Sequence, residues 1–166
     1  MPPRSAGLLL FRLAGEGAGE LEVLIVHPGG PIFARKDEGI WSVPKGEYER
    51  GDDPLAEASR EFTEELGSPP PDGERIDLGT VKQRSGKLVS AWAVAGDLDT
   101  ASVLSNEFEM EWPPHSGIRR RFPEVDRAEW VGVPEARRKL VSAQVELVER
   151  LQAILRERSA GESSGE

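Results

Sequence analysis

The sequence predicts an α/β (α+β) domain built in helix–sheet–helix layers. Three observations carry this. Two pairs of apolar segments, 5–13 with 21–26 and 75–82 with 87–95, read as strand hairpins. A capped amphipathic helix falls between the two pairs, over 53–66. A second amphipathic helix begins at Pro134 and closes the chain. At 166 residues the chain suits one domain. The expected boundaries are 1–158 for the domain and 159–166 for a disordered tail.

Each element follows from local signals. The loop 14–19 is rich in glycine and joins the first two strands, and His27–Pro28–Gly29–Gly30–Pro31 stops the second. Residues 32–51 read as loop, with a short strand at 40–43. Asp53 suits an N-cap, Pro54 the first helical turn and Gly67 the C′ position, with Pro69–Pro70–Pro71 beyond. Residues 87–95 are apolar on both faces, as in a central covered strand. Residues 97–125 read as a long irregular segment of the kind that is usually functional or disordered. A short strand at 127–131 precedes the last helix, which lines up Ala136, Leu140, Leu147, Leu151 and Ile154 on one face.

Composition removes several classes of function. There is no cysteine and only His27 and His115, which excludes thiolate zinc sites, multi-histidine metal sites and a cysteine nucleophile. No apolar run reaches the roughly 20 residues of a membrane helix, and Leu8–Phe11 is too short for a secretory signal core. A cytoplasmic protein without membrane partners is expected. The net charge of −9 argues against a general nucleic-acid binder.

The acid is concentrated. Residues 47–65 hold eight acids and two bases, −6 of the −9. With Glu57 at 0° on the helix, Glu61 falls near 40°, Glu64 near −20° and Glu65 near 80°, at about 100° per residue. Leu55, Ala58, Phe62 and Leu66 form the adjacent apolar stripe. A solvated charged face would carry interleaved lysines, because stacked Glu pairs cost a few tenths of a kcal/mol, and this helix has none. Carboxylates on a rigid helix without His or Cys favour Mg²⁺, or Mn²⁺ in its place, over zinc.

These residues resemble a known signature. Gly46-x5-Asp52-x7-Arg60-Glu61-Phe62-x-Glu64-Glu65-x-Gly67-Ser68 is similar to the Nudix (MutT-type) box, G-x5-E-x7-R-E-U-x-E-E-x-G-U with U a bulky aliphatic. Seven of nine positions match, Asp52 and Ser68 being the departures. At residue frequencies of about 6–7%, the six matched polar and glycine positions arise by chance about once in ten million registers. The resemblance, spanning box 46–68 and flanks from 5 to about 157, implies a mixed β-sheet sandwiched between α-helices. It also implies hydrolysis of a nucleoside diphosphate linked to another moiety.

The resemblance further implies roles. Glu61 and Glu65 match metal ligands, the Gly46 carbonyl often joins them, and Glu64 is a further ligand or the base that activates water. Arg60 matches an arginine that fixes a catalytic glutamate, although an ordinary helix salt bridge would use the same contact. Glu57 is a supporting ligand or an exposed acid, and Asp52 either holds the loop or caps a turn. A base from outside the box would come from Glu107, Glu109, Glu111 or Glu124. For a nucleotide-containing substrate, Lys45, Arg35 and Lys36 are placed to meet phosphates; Arg119–Arg121 read first as a solvated basic loop and second as a further phosphate contact. Trp41, Tyr48 and Trp112 are candidates to stack on a base, Trp41 being equally suited to the core. The lead-in Trp41-x-x-Pro44-Lys45-Gly46 looks most like dinucleoside polyphosphate hydrolases, such as those cleaving diadenosine tetraphosphate, with nucleoside triphosphates, nucleotide sugars and capped RNA also open. Two alternatives are a catalytically idle Nudix domain that senses a nucleotide, and a protein–protein module using the acidic helix. The sequence does not set the oligomeric state.

Overall fold

The computed structural model describes residues 2–14 and 20–164. Eight strands are present: β1 Arg4–Leu13, β2 Leu21–Pro28, β3 Lys45–Tyr48, β4 Ile76–Lys82, β5 Leu88–Ala95, β6 Glu107–Glu111, β7 Arg119–Pro123 and β8 Val125–Gly132. Among the described residues three α-helices accompany them: α1 Pro54–Leu66, α2 Val133–Lys139 and α3 Val145–Ser164. The main sheet runs β4-β5-β1-β2-β8, with β3 also on β1. β1 and β5 are parallel and the other pairs antiparallel, so the sheet is mixed. The glycine-rich residues 15–19 of the expected first loop lie outside the described residues; Ala14 N–H donates to Glu20 C=O across their base.

The sheet separates two apolar layers. On one side Ala6, Leu8, Leu10 and Leu24 meet Ala58, Phe62 and Leu66 of α1. On the other, Leu9, Val23, Ile25 and Val89 meet Ala136, Leu147, Val148 and Leu151 of α2 and α3. Alternate residues of β1 feed opposite layers, as a pleated strand covered on both faces requires. This is the expected helix–sheet–helix sandwich.

One topological feature builds the site. β1 pairs with β2 only at Phe11–Leu13 and with β3 at Arg4–Gly7. Between these stretches the strands part, and the segment 41–45 wedges in. Leu8 N–H donates to Pro44 C=O and Val26 N–H to Ser42 C=O. The chain thus enters β3 from inside the sheet and delivers Lys45 and Gly46 beside α1.

Several expectations are corrected. The short strand expected at 40–43 is reduced to isolated bridges at Trp41 and Ser42. Strand β2 passes the expected stop and continues to Pro28, with an irregularity between His27 and Pro28. The single C-terminal helix is two, because Leu140 leaves the helical path to bridge Trp41, and Val141 N–H donates to Trp41 C=O. The irregular stretch 97–125 contains the β6–β7 ribbon. Helix α3 continues through residues 159–164 of the expected disordered tail 159–166, and residues 165–166 lie outside the described residues. That stretch contains no proline to stop the helix, and its one glycine costs only about 1 kcal/mol.

Candidate active site

Helix α1 forms as its ends dictate. The Asp53 carboxylate accepts from Leu55 N–H at 3.2 Å, and Gly67 closes the helix in the left-handed conformation at φ 81°. The apolar stripe docks on β1, which fixes the rotation of the helix and turns Glu61 and Glu65 inward. Glu65 is only 8% exposed. Glu124, at the junction of β7 and β8, joins them. Oxygens of Glu61, Glu65 and Glu124 all lie within 4.8 Å of one another.

Three converging carboxylates disfavour ionisation of each other. Burial pushes the Glu65 carboxyl up to about 8, with the charge of Glu61 adding to it and that of Lys45 opposing it. Burial raises Glu61, and Glu64 raises it further. Burial and then Glu64 raise Glu124. Burial holds Lys45 below its usual range, with Lys87 reinforcing the effect. Among the described residues, Glu65 Oε2 is buried without a hydrogen-bond partner.

Arg60 accounts for much of the remaining acid. Its guanidinium donates to Glu57, to Glu64 Oε1 at 2.7 Å and to Glu61 Oε1 at 3.3 Å. One cation on the outer rim therefore restrains three carboxylates, while Glu65 and Glu124 are left inside without it. Charge-assisted contacts of this kind set side-chain orientation as well as energy.

Gly46 permits the packing at the centre. A β-carbon there would lie 2.0 Å from Cδ of Glu61, so any side chain would displace the carboxylate. Beside the trio is a cleft of about 140 Å³. Its lining includes Val26, Ser42, Lys45, Glu65, Glu124 and Val125.

The other sequence candidates fall in different places. Lys45 reaches the cleft. Tyr48 is half-buried and packs on the α1 side of the core. Arg35 is exposed in the turn after Gly30. Trp112 sits at the far end of the β6–β7 ribbon, its N–H donating to Ile118 C=O. Trp41 is fully buried and donates to Asp37 at 3.0 Å, as a core residue would. Asp52 secures a turn by accepting from Glu49 N–H at 2.9 Å. Glu107 and Glu109 pair with Arg121 and Arg119, and Glu111 accepts from Gly117 N–H. Of the four candidates outside the box, only Glu124 reaches the cluster. Its signal in the sequence was faint, an isolated acid just before a short strand.

The residues fit a hard divalent cation. The donor set is oxygen only, one buried acceptor oxygen has no partner, and a positive ion would offset the burial and the neighbouring negative charge that raise all three carboxyls.

Comparisons with known proteins bear on family and fold. The NUDIX domain family model matches residues 1–151. An Ap4A hydrolase from C. elegans, solved as a binary complex, superposes at TM-score 0.62 with 21% identity, over 93% of this chain and 98% of that one. The NUDIX domain of Shewanella oneidensis NrtR, solved with ADP ribose, superposes at 0.61 with 15% identity, over 93% and 89%. A NUDIX hydrolase from Nitrosomonas europaea gives 0.56 with 16% identity, over 92% and 90%. No match was found among curated protein sequences.

Proposed function

The chain belongs to the NUDIX family and is a Nudix hydrolase, and from that premise we propose a Mg²⁺-dependent pyrophosphohydrolase that cleaves a nucleoside diphosphate linked to another moiety. The observation that carries this reading is the Glu61–Glu65–Glu124 trio with its unpartnered buried oxygen.

Glu61, Glu65 and Glu124 would hold the ion, with the backbone of Gly46 beside Glu61 and Glu64 as a further ligand or base. Mn²⁺ would substitute for Mg²⁺. Such an ion, when bound, neutralises phosphate oxygens and makes a coordinated water more acidic. Arg60 holds Oε1 of Glu64, which leaves the other oxygen of that half-exposed carboxylate to accept a proton from the attacking water. Lys45, beside Glu65 in the cleft, meets the phosphate that leaves with the added charge. Arg35, Tyr48 and Trp112 remain candidates for holding the rest of the substrate.

Dinucleoside polyphosphates such as diadenosine tetraphosphate are the proposed substrate class. The Trp41-x-x-Pro44-Lys45-Gly46 lead-in supports it, as does the fold shared with an Ap4A hydrolase. A cytoplasmic location follows from that substrate class, and among the described residues no helix is long and apolar enough to cross a membrane. The intact Glu61, Glu64 and Glu65 weigh against an idle nucleotide sensor, because a domain that only binds has no use for the full acid set.

The test is phosphate release with Mg²⁺ or Mn²⁺ across dinucleoside polyphosphates, nucleoside triphosphates, ADP-ribose and capped RNA. Metal-dependent turnover of a diphosphate-linked nucleoside, lost in Glu65→Gln, is expected. Tight nucleotide binding with no turnover of any member would establish the sensor instead.

A further inference from the structure

We propose that one face of the β6–β7 ribbon is a nucleotide platform, binding the base and outer phosphate of the substrate remote from the bond that is cut. This rests on the hydrolase reading and adds the element that selects the substrate.

The ribbon stands apart from the main sheet as a separate two-stranded unit. Its register pairs Phe108 with Phe122 and Met110 with Arg120 on one face, and Glu109 with Arg121 and Glu111 with Arg119 on the other. The second face is a ladder of ion pairs, Arg119–Glu109 and Arg121–Glu107. The first face is aromatic and thioether, with Phe108 and Phe122 ring centroids 6.1 Å apart. The alternation runs on to Trp112, and Ile118 there is 55% exposed. Phe108, Met110, Trp112 and Phe122 are half-buried and Ile118 is exposed, so this face still presents apolar surface on which a ligand can pack.

Its root is at the acid trio. Asn106 N–H, just before β6, donates to Glu64 C=O at 2.9 Å, and Glu124 directly follows β7. Phe108 packs against Gly30, where a β-carbon would lie 2.9 Å from the ring. Gly30 follows Pro28, which lines the cleft. The face therefore starts at the cleft mouth and runs outward, with Arg120 about 13 Å of strand from Glu124 at 3.3 Å per residue.

Charge identifies the occupant. Arg60 is taken up by Glu57, Glu61 and Glu64, and Arg119 and Arg121 by the ladder. Arg120 is exposed and, among the described residues, makes no hydrogen bond or ion pair. An uncommitted guanidinium among aromatic and thioether side chains is a surface for an anionic aromatic ligand. A nucleotide base can stack on such side chains whatever its sequence identity.

The experiment measures steady-state kinetics of the full chain on diadenosine tetraphosphate for Arg120→Glu, Met110→Ala and, on the opposite face, Glu109→Gln. Arg120→Glu should raise KM at least tenfold and Met110→Ala about threefold, with kcat falling less than threefold. Glu109→Gln should leave both constants at the parent values. If KM does not respond to Arg120→Glu, or responds equally to Glu109→Gln, the platform is wrong. Should the parent protein hydrolyse nothing, the hydrolase reading fails separately. Quenching of tryptophan fluorescence by ADP then decides the platform: a tenfold weaker Kd in Arg120→Glu supports it, and an equal Kd overturns it. Tighter binding of a single-stranded oligonucleotide than of ADP to the same face would also overturn it.

Discussion

The carboxylate of Glu61 occupies the space that a β-carbon on residue 46 would need, 2.0 Å from its Cδ. Glycine at 46 and glutamate at 61 are therefore one structural choice, made on β3 and α1 together. Gly46→Ala should push Glu61 off the trio. The expected result is a loss of activity of about 100-fold and Mn²⁺ binding weakened about tenfold, as when groups supporting a metal are disturbed. Calorimetric titration with Mn²⁺ and turnover measure the two effects. Parent-like values for both would show that Glu61 does not bind the ion.

Glu65 links pH, metal and stability. Burial and the charge of Glu61 raise its carboxyl to about 8 from the ordinary 4.5. The folded state then binds more protons than the unfolded one between those values, so metal-free stability falls as pH rises across that window. The apparent value belongs to the coupled trio. The loss is on the order of a few kcal/mol. A divalent ion binds the ionised form, so the rise in Tm caused by Mg²⁺ should grow from pH 5.5 to pH 8. Melting curves in EDTA and in Mg²⁺ at both values test this, with Glu65→Gln as reference. A larger Mg²⁺ effect at the lower pH would contradict it.

How much of this could be read from the sequence depended on whether the signal was local. Helix α1 was legible because Asp53, Pro54 and Gly67 mark its ends and its apolar stripe sets its rotation. The inward Glu61 and Glu65 followed from the same periodicity. Strand β3 was not legible, since Lys-Gly-Glu-Tyr has no alternation of its own and is held by pairing with β1. Glu124 was one of four acids in an irregular stretch. Only the path of β7 into β8 separates it from Glu107, Glu109 and Glu111, which the ribbon carries away from the trio. The break between α2 and α3 depends on Leu140 bridging Trp41, a contact across about a hundred residues.

Glu124 is the acid that the chain path brings to the trio, and Glu124→Gln separates its contribution from that of the box. The change keeps the volume and removes one negative charge from three. Mn²⁺ affinity should fall by about tenfold, and kcat by 10- to 100-fold. Glu107→Gln, which removes only an exposed pair with Arg121, should leave turnover at the parent level. Equal effects of the two changes would remove Glu124 from the site.

Two buried side-chain oxygens lack partners among the described residues, Glu65 Oε2 and Ser5 Oγ. Their contexts differ. Glu65 faces two other carboxylates, whereas Ser5 lies in β1 between β3 and β5. A buried hydroxyl without a partner is a cost with no return at the site. Ser5→Ala should therefore stabilise the fold by about 1 kcal/mol, a rise in Tm of roughly 2–4 °C, with kcat as in the parent. A lower Tm would mean that the hydroxyl is hydrogen-bonded in solution.

Gln144 controls how the chain enters the site. It is fully buried, and its Oε1 accepts from Val43 N–H at 2.9 Å, while Nε2 donates to Gln83 Oε1 at 3.0 Å and to Ser42 Oγ at 3.1 Å. Val43 precedes Lys45 and Gly46 by only a few bonds, so this amide fixes the wedge that parts β1 from β2. Gln144→Ala strands the Val43 N–H in the core, at a cost of about 1–3 kcal/mol. It also frees the segment that places Gly46 against Glu61. If Gln144 only stabilised the fold, activity well below Tm would be unaffected. A positioning role instead predicts a fall in Mn²⁺ affinity and in kcat at 20 °C, where the variant is still folded by circular dichroism. Gln144→Glu, which keeps the acceptor for Val43 and loses the donor to Gln83, should recover most of the metal affinity while remaining less stable than the parent. Recovery of stability without recovery of metal binding would refute the positioning role.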